Sequence, residues 1–178
     1  MEQLRNLRWR WVAGSLVATL ALLLAASWGL RAVTREEPLQ GFLRSQPEVL
    51  GYSEDTVAGT RVLRVELRDV PDLSRTYRHL YEGVARILGG EPFRLEVADR
   101  RSPALEEAFY RINPLLQEAL ATGRYGDLVD RVEERARALG LDRARVFIDP
   151  DRLYLQLHEG SDYLYAVLPR PDGPAGRR

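Results

Sequence analysis

The stretch Arg143–Leu168 reads RARVFIDPDRLYLQLHEGSDYLYAVL, apolar-rich runs separated by the tetrapeptides Asp149-Pro150-Asp151-Arg152 and Glu159-Gly160-Ser161-Asp162. Both tetrapeptides are made of turn-forming residues, so strands are expected at Arg143–Ile148, Leu153–His158 and Tyr163–Leu168, joined as an antiparallel meander. Centring the first turn on Pro150 and Asp151 pairs Ile148 with Leu153, Phe147 with Tyr154, Val146 with Leu155 and Arg145 with Gln156. Centring the second on Gly160 and Ser161 pairs Leu157 with Leu164, Leu155 with Ala166, Leu153 with Leu168 and His158 with Tyr163.

The two turns sort the side chains in the same way. One face is aliphatic: Val146, Ile148, Leu153, Leu155, Leu157, Leu164, Ala166 and Leu168. A slip of one residue would turn this set into water, which pins the register and requires helices against that face. A Pro-Asp turn of type I suits a two-residue hairpin poorly, so an adjustment such as a bulge is expected at the first junction.

The opposite face carries Arg143, Arg145, Phe147, Tyr154, Gln156, His158, Tyr163 and Tyr165, with Val167 among them. Rings, guanidiniums and an imidazole on one surface suit stacking on and hydrogen bonding to a partner, so these residues are the candidate binding face. The competing reading is that another element covers the face and the tyrosines are core with satisfied hydroxyls, since Tyr is ordinary strand composition.

Upstream, Val62–Leu67 alternates as VLRVEL and Phe93, Leu95 and Val97 alternate with Arg94 and Glu96, the period of half-buried strands. Between them Asp72 is placed to cap a helix with Leu73, Tyr77, Leu80, Val84 and Ile87 on one side, ended by Gly89 and Gly90. Strand, helix, strand in this order predicts parallel neighbours. Ser102-Pro103 opens a second helix along Leu105, Phe109, Ile112, Leu116 and Leu120, which Pro114 should kink or divide. Leu128, Val132, Ala136 and Leu139 mark a third, stopped by Gly140.

Ahead of these, Trp11–Leu30, WVAGSLVATLALLLAASWGL, has no charge and at about 1.5 Å per residue spans roughly 30 Å of hydrocarbon. Arg5, Arg8 and Arg10 precede it and Arg31 and Arg35 follow, with Trp9, Trp11 and Trp28 near its ends. This predicts a single-pass signal-anchor with the N-terminus cytoplasmic and the C-terminal domain outside. The alternative is a secretory signal cleaved near Ala25 and Ser27, which also exports the domain.

The expected class is therefore α+β: an N-terminal transmembrane helix followed by a small two-layer domain, β-α-β-α-α-β-β-β, its mixed sheet ending in the meander. The divisions are residues 1–10 cytoplasmic, 11–30 anchor, 31–60 linker with a short amphipathic turn at Leu39, Phe42 and Leu43, 61–168 extracytoplasmic domain, and 169–178 a disordered Pro- and Gly-rich tail.

Composition removes whole chemistries. There is no cysteine, hence no disulfide, thiol nucleophile or thiolate metal site. Every basic residue is Arg, which excludes a Schiff-base or phosphate-loop lysine. Only His79 and His158 supply imidazole, without metal-ligand spacing, so neither a metal nor a cofactor is expected. Net charge is zero, and residues 38–178 hold 21 Arg against 23 acids, which gives no general attraction to nucleic acid.

Asp151 and Glu159 stand eight residues apart on one strand, roughly 26 Å at about 3.3 Å per residue, too far for a carboxylate pair that needs about 5 to 9.5 Å. His158, Ser161 and Asp162 have the residue types of a nucleophilic triad but crowd into one tight turn. The expected function is thus a membrane-anchored, non-enzymatic interaction or assembly domain of the cell envelope, with a protein partner or a homo-oligomer. The alternative is a small extracytoplasmic hydrolase-like enzyme centred on His158 and its neighbouring tyrosines. A deep pocket at His158 with an aligned acid distinguishes the second.

Overall fold

The structure, a computed structural model, describes residues 38–171 and 173. The expected anchor at 11–30 and its flanks lie outside them; among the described residues no helix is long and apolar enough to cross a membrane. Residues 38–44 are helical, the amphipathic turn expected around Leu43. A compact unit begins at Leu43.

Its elements are β1 (Val49–Val57), β2 (Thr60–Leu67), α1 (Leu73–Leu88), β3 (Phe93–Ala98), α2 (Pro103–Thr122), α3 (Leu128–Ala138), β4 (Arg143–Ile148), β5 (Arg152–Glu159) and β6 (Asp162–Pro169). This is a small α+β domain in which a mixed sheet is followed by an antiparallel one. In the first sheet β1 pairs antiparallel with β2, and β2 pairs parallel with β3 across the α1 crossover. In the second, β4, β5 and β6 pair in the register derived from the two turns, from Ile148–Leu153 through His158–Tyr163.

Three features differ from expectation. Residues 49–57, assigned to the linker, form β1, because Ala58 (φ 50°) and Gly59 (φ 78°) make a two-residue turn that folds them back on β2. The segment is hard to recognise because β1 is an edge strand whose residues from Ser53 onward are exposed, so it carries little apolar alternation.

Second, the strands form two sheets. They meet at a single bridge, Arg100 to Tyr163, where Tyr163 donates its N–H to the Arg100 carbonyl at 2.9 Å. The next outward N–H of β6, that of Tyr165, goes to the Asp99 carboxylate at 2.7 Å. A side chain has taken the place of a backbone carbonyl, and the ladder stops.

Third, the helices are not all on the aliphatic face. Leu105, Ile112 and Leu116 of α2 and Leu128, Val132 and Ala136 of α3 form a core with Leu153, Leu155, Leu157 and Leu164. Helix α1 instead lies on the first sheet and on the other face of the meander. Its Tyr77 hydroxyl donates to the Leu95 carbonyl at 3.1 Å, and the Tyr77 ring meets Tyr154 edge-on at 5.8 Å. Strand β5 is therefore covered on both sides, and Leu153 to His158 are all buried.

The capping signals hold. Asp72 accepts from the Arg75 N–H, and burial notwithstanding, this bond and that of the Ser74 hydroxyl keep its carboxyl below the usual range. Gly89, at φ 61°, closes α1 in a left-handed conformation that other residues adopt at a cost. Ser102 caps α2, which continues unbroken through Pro114. Pro114 is exposed, so the missing hydrogen bond falls on the wet side of the helix, where water can serve the Tyr110 carbonyl.

Candidate functional site

The face proposed from sequence as a contact surface is filled by the chain's own β2–α1 connection. Among its residues Tyr154, Gln156, His158, Tyr163 and Tyr165 are buried, Arg143 and Phe147 are half-buried, and Arg145 is exposed. The reason is a run of backbone from Leu67 to Leu73 that needs hydrogen-bond partners as it passes under the meander.

Gln156 serves that backbone with both ends of its amide, accepting from the Leu73 N–H and donating to the Val70 carbonyl, each at 2.9 Å. The Tyr163 hydroxyl donates to the Leu67 carbonyl at 2.8 Å, and the Tyr165 hydroxyl accepts from the Val70 N–H at 2.8 Å. Arg145 donates to the Pro71 carbonyl at 2.7 Å. Burial raises the Tyr165 phenol well above its ordinary pKa, so it stays protonated and able to donate. The polar content of this face is explained by an internal segment that must be held, and no free ligand is needed to account for it.

Tyr154 points back to the hairpin. Its hydroxyl donates to Asp149 Oδ2 at 2.7 Å, while Asp149 Oδ1 accepts from the N–H groups of Asp151 (2.8 Å) and Arg152 (2.7 Å). These bonds close the Pro150-Asp151 turn with a side chain, which is how the unfavoured hairpin is accommodated in place of a bulge. Burial opposes the charge on Asp149, yet the hydroxyl and the two N–H groups hold its carboxyl below the usual range. Arg152 stacks over Tyr81 (4.3 Å) and Tyr77 (5.2 Å), so the aromatic cluster already contains a cation.

His158 does have an aligned acid. Asp69 Oδ1 lies 2.6 Å from its Nε2, and Arg143 Nε lies 3.4 Å from its Nδ1. A guanidinium can only donate, so Nδ1 is the acceptor and the proton belongs on Nε2, facing the carboxylate. With both nitrogens engaged, the imidazole has none left to take a proton from a nucleophile, and among the described residues no Ser or Thr hydroxyl bonds to it. Ser161 and Asp162 contact Arg100 instead, through the Ser161 carbonyl and an ion pair at 3.0 Å from Asp162. Asp69–His158 is a clasp between the β2–α1 connection and β5.

Two clefts remain. One, of about 240 Å³, lies on the open charged face of the first sheet beside Asp55, Arg64, Arg94 and Glu96. The other, of about 320 Å³, is an open groove along β4, between Pro71 and Asp72 on one side and Val129 and Glu133 of α3 on the other, floored by Arg145, Val146 and Phe147.

Sequence reasoning placed the floor of the second groove, Arg145 to Phe147, on a strand but missed its significance, because being at a sheet edge is a property of strand order. Strand β4 is outermost in β4-β5-β6, and among the described residues no strand pairs with its other side. The Asp149 N–H donates to the Arg152 carbonyl at 3.0 Å, so in this register Asp149, Phe147, Arg145 and Arg143 direct their backbone groups to β5. Ala144, Val146 and Ile148 therefore direct theirs outward into the groove.

The segment expected to be a disordered tail begins ordered. Arg170 donates its N–H to the Asp151 carbonyl at 2.8 Å and stacks over Tyr125 at 4.6 Å. Gly173 sits so close that a Cβ there would meet the Pro150 carbonyl at 2.6 Å. No protein-family model, curated protein or solved structure matches this chain.

Proposed function

We propose that this chain is a membrane-anchored, non-enzymatic interaction domain, held by the apolar segment at residues 11–30 with its α+β domain outside the cytoplasm, and that it binds a protein partner by strand addition at β4. The observation that carries the contact surface is the groove along β4: outward backbone donors and acceptors at Ala144, Val146 and Ile148, with apolar Val129, Val146 and Phe147 beside them. Strand addition draws affinity from main-chain hydrogen bonds and specificity from flanking pockets, and both are available here. The anchor reading rests on the uncharged run and the arginines around it.

The test is Val146→Pro in the full-length protein in its own membranes. Proline removes the N–H that faces outward and none that faces β5, so it blocks an added strand at a position where edge strands tolerate proline. The expected result is loss of partner capture by crosslinking with thermal unfolding little changed. Unchanged capture by a folded variant overturns the contact surface. For topology, protease added to intact spheroplasts is expected to digest the domain beyond residue 35; complete protection, relieved only by lysis, reverses the orientation.

A further inference from the structure

We infer that the strand added at β4 is β4 of a second copy of this chain, antiparallel, about a two-fold axis at Val146. The inference rests on the strand-edge reading above and supplies the partner. With the axis at Val146, Ala144 faces Ile148 of the partner chain, Val146 faces Val146, and Ile148 faces Ala144. These are the residues whose backbone groups point outward, so each of them exchanges both hydrogen bonds with its counterpart.

The side chains agree with that register. On the α1 side of the sheet Arg145 falls opposite Phe147 of the second copy, and Phe147 opposite its Arg145, which places a guanidinium beside a ring twice over. One step further out, Arg143 faces Asp149 in both directions, an opposite-charge pair at each end of the ladder. Arg143 retains 40% side-chain exposure beside Asp69, so donors remain for such a pair. On the other side Ala144, Val146 and Ile148 meet only one another. A two-fold contact demands that one patch complement itself, and RARVFID does so about its central valine.

Other pairings fare worse. A two-fold at Ala144 or Arg145 apposes arginines, and one at Phe147 retains the Val146–Ile148 pairs but loses Ala144, whose counterpart would be Pro150, without an N–H. The edge strand β1 carries Glu54 and Asp55, so antiparallel self-pairing centred on either of them sets a carboxylate against its own copy.

The protein contains no cysteine, so introduced thiols report unambiguously. Directly opposed residues that exchange both hydrogen bonds lie about 5.5 Å apart between Cα atoms, within disulfide range. Full-length Val146→Cys, oxidised mildly in membranes, is expected to form a disulfide dimer, whereas Arg94→Cys on the open face of the first sheet is not. Arg145→Cys and Phe147→Cys chains carrying tags of different size, expressed together, are expected to form the mixed dimer, and adding Val146→Pro to both is expected to abolish it.

Dimerisation of Phe147→Cys alone, with none at Val146→Cys, overturns the Val146 axis. Disulfide-independent crosslinking of β4 to a different protein overturns self-pairing and leaves strand addition standing. No crosslink above the Arg94→Cys control overturns self-pairing, and if Val146→Pro also leaves partner capture unchanged, the strand-edge reading falls with it.

Discussion

The two sheets of this domain have similar strand lengths and opposite surroundings. In β1–β3 one face buries Leu63, Val65 and Leu67 completely, while the other presents Asp55, Arg64, Arg94 and Glu96 to water. In β4–β6 both faces are covered, by α2 and α3 on the aliphatic side and by the β2–α1 connection on the polar side. The difference shows that polar and aromatic residues on a strand mean different things in the two places. On the first sheet they are solvated. On the second they are the hydrogen-bonding lining of a second core layer, and the free surface of that sheet is its β4 edge.

This contrast can be broken most forcefully at Tyr154. It is fully buried, packs edge-on against Tyr77, and closes the β4–β5 turn through Asp149. Tyr154→Ala is expected to cost about 3 to 5 kcal/mol, as other large aromatic truncations in cores do. Chemical denaturation of the purified protein checks this, and a loss below about 1 kcal/mol would mean that the polar face of the meander is not a core layer.

A smaller effect is expected at Asp149, and it depends on pH. Its carboxyl is held below the ordinary range in the folded state, so it contributes stability that is present above the unfolded pKa and lost as pH falls through the folded one. Thermal stability should therefore decline below about pH 4, near the unperturbed carboxylate value. Asp72, also depressed, contributes to the same window. Asp149→Asn should lower the melting temperature at neutral pH and flatten the acid decline; a variant with an unaltered pH profile would remove the carboxylate from this role.

The smallest effect belongs to the open sheet. Arg64 is 63% exposed and pairs with Glu96 at 3.0 Å across the β2–β3 ladder. Arg64→Ala is expected to change stability by under about 0.5 kcal/mol, since an exposed ion pair gains little from attraction in water. A loss as large as that at Tyr154 would show that this face is also covered in the working protein, and would erase the contrast.

Much of the domain could be read without the structure. The meander register followed from two turns that agreed on which residues are aliphatic, because a period of two leaves no compromise between faces. The Asp72 and Ser102 caps and the Gly89 stop were legible because they satisfy backbone groups within a few residues. Strand β1 was not: an exposed edge strand lacks the alternation that burial imposes.

What the polar face of the meander does was decided only in three dimensions. Sequence places Gln156, Tyr163 and Tyr165 on one surface, but their partners are Val70, Leu73, Leu67 and Asp99, between 66 and 96 residues away. Likewise Asp69 reaches His158 across 89 positions and makes a clasp where residue types alone suggested a catalytic base. The outward edge of β4 depends on strand order, which is a relation among all three strands. Local hydrogen bonding and periodicity act over a few residues and are written in the chain, whereas cover, clasp and edge are set by which distant segments come to lie together.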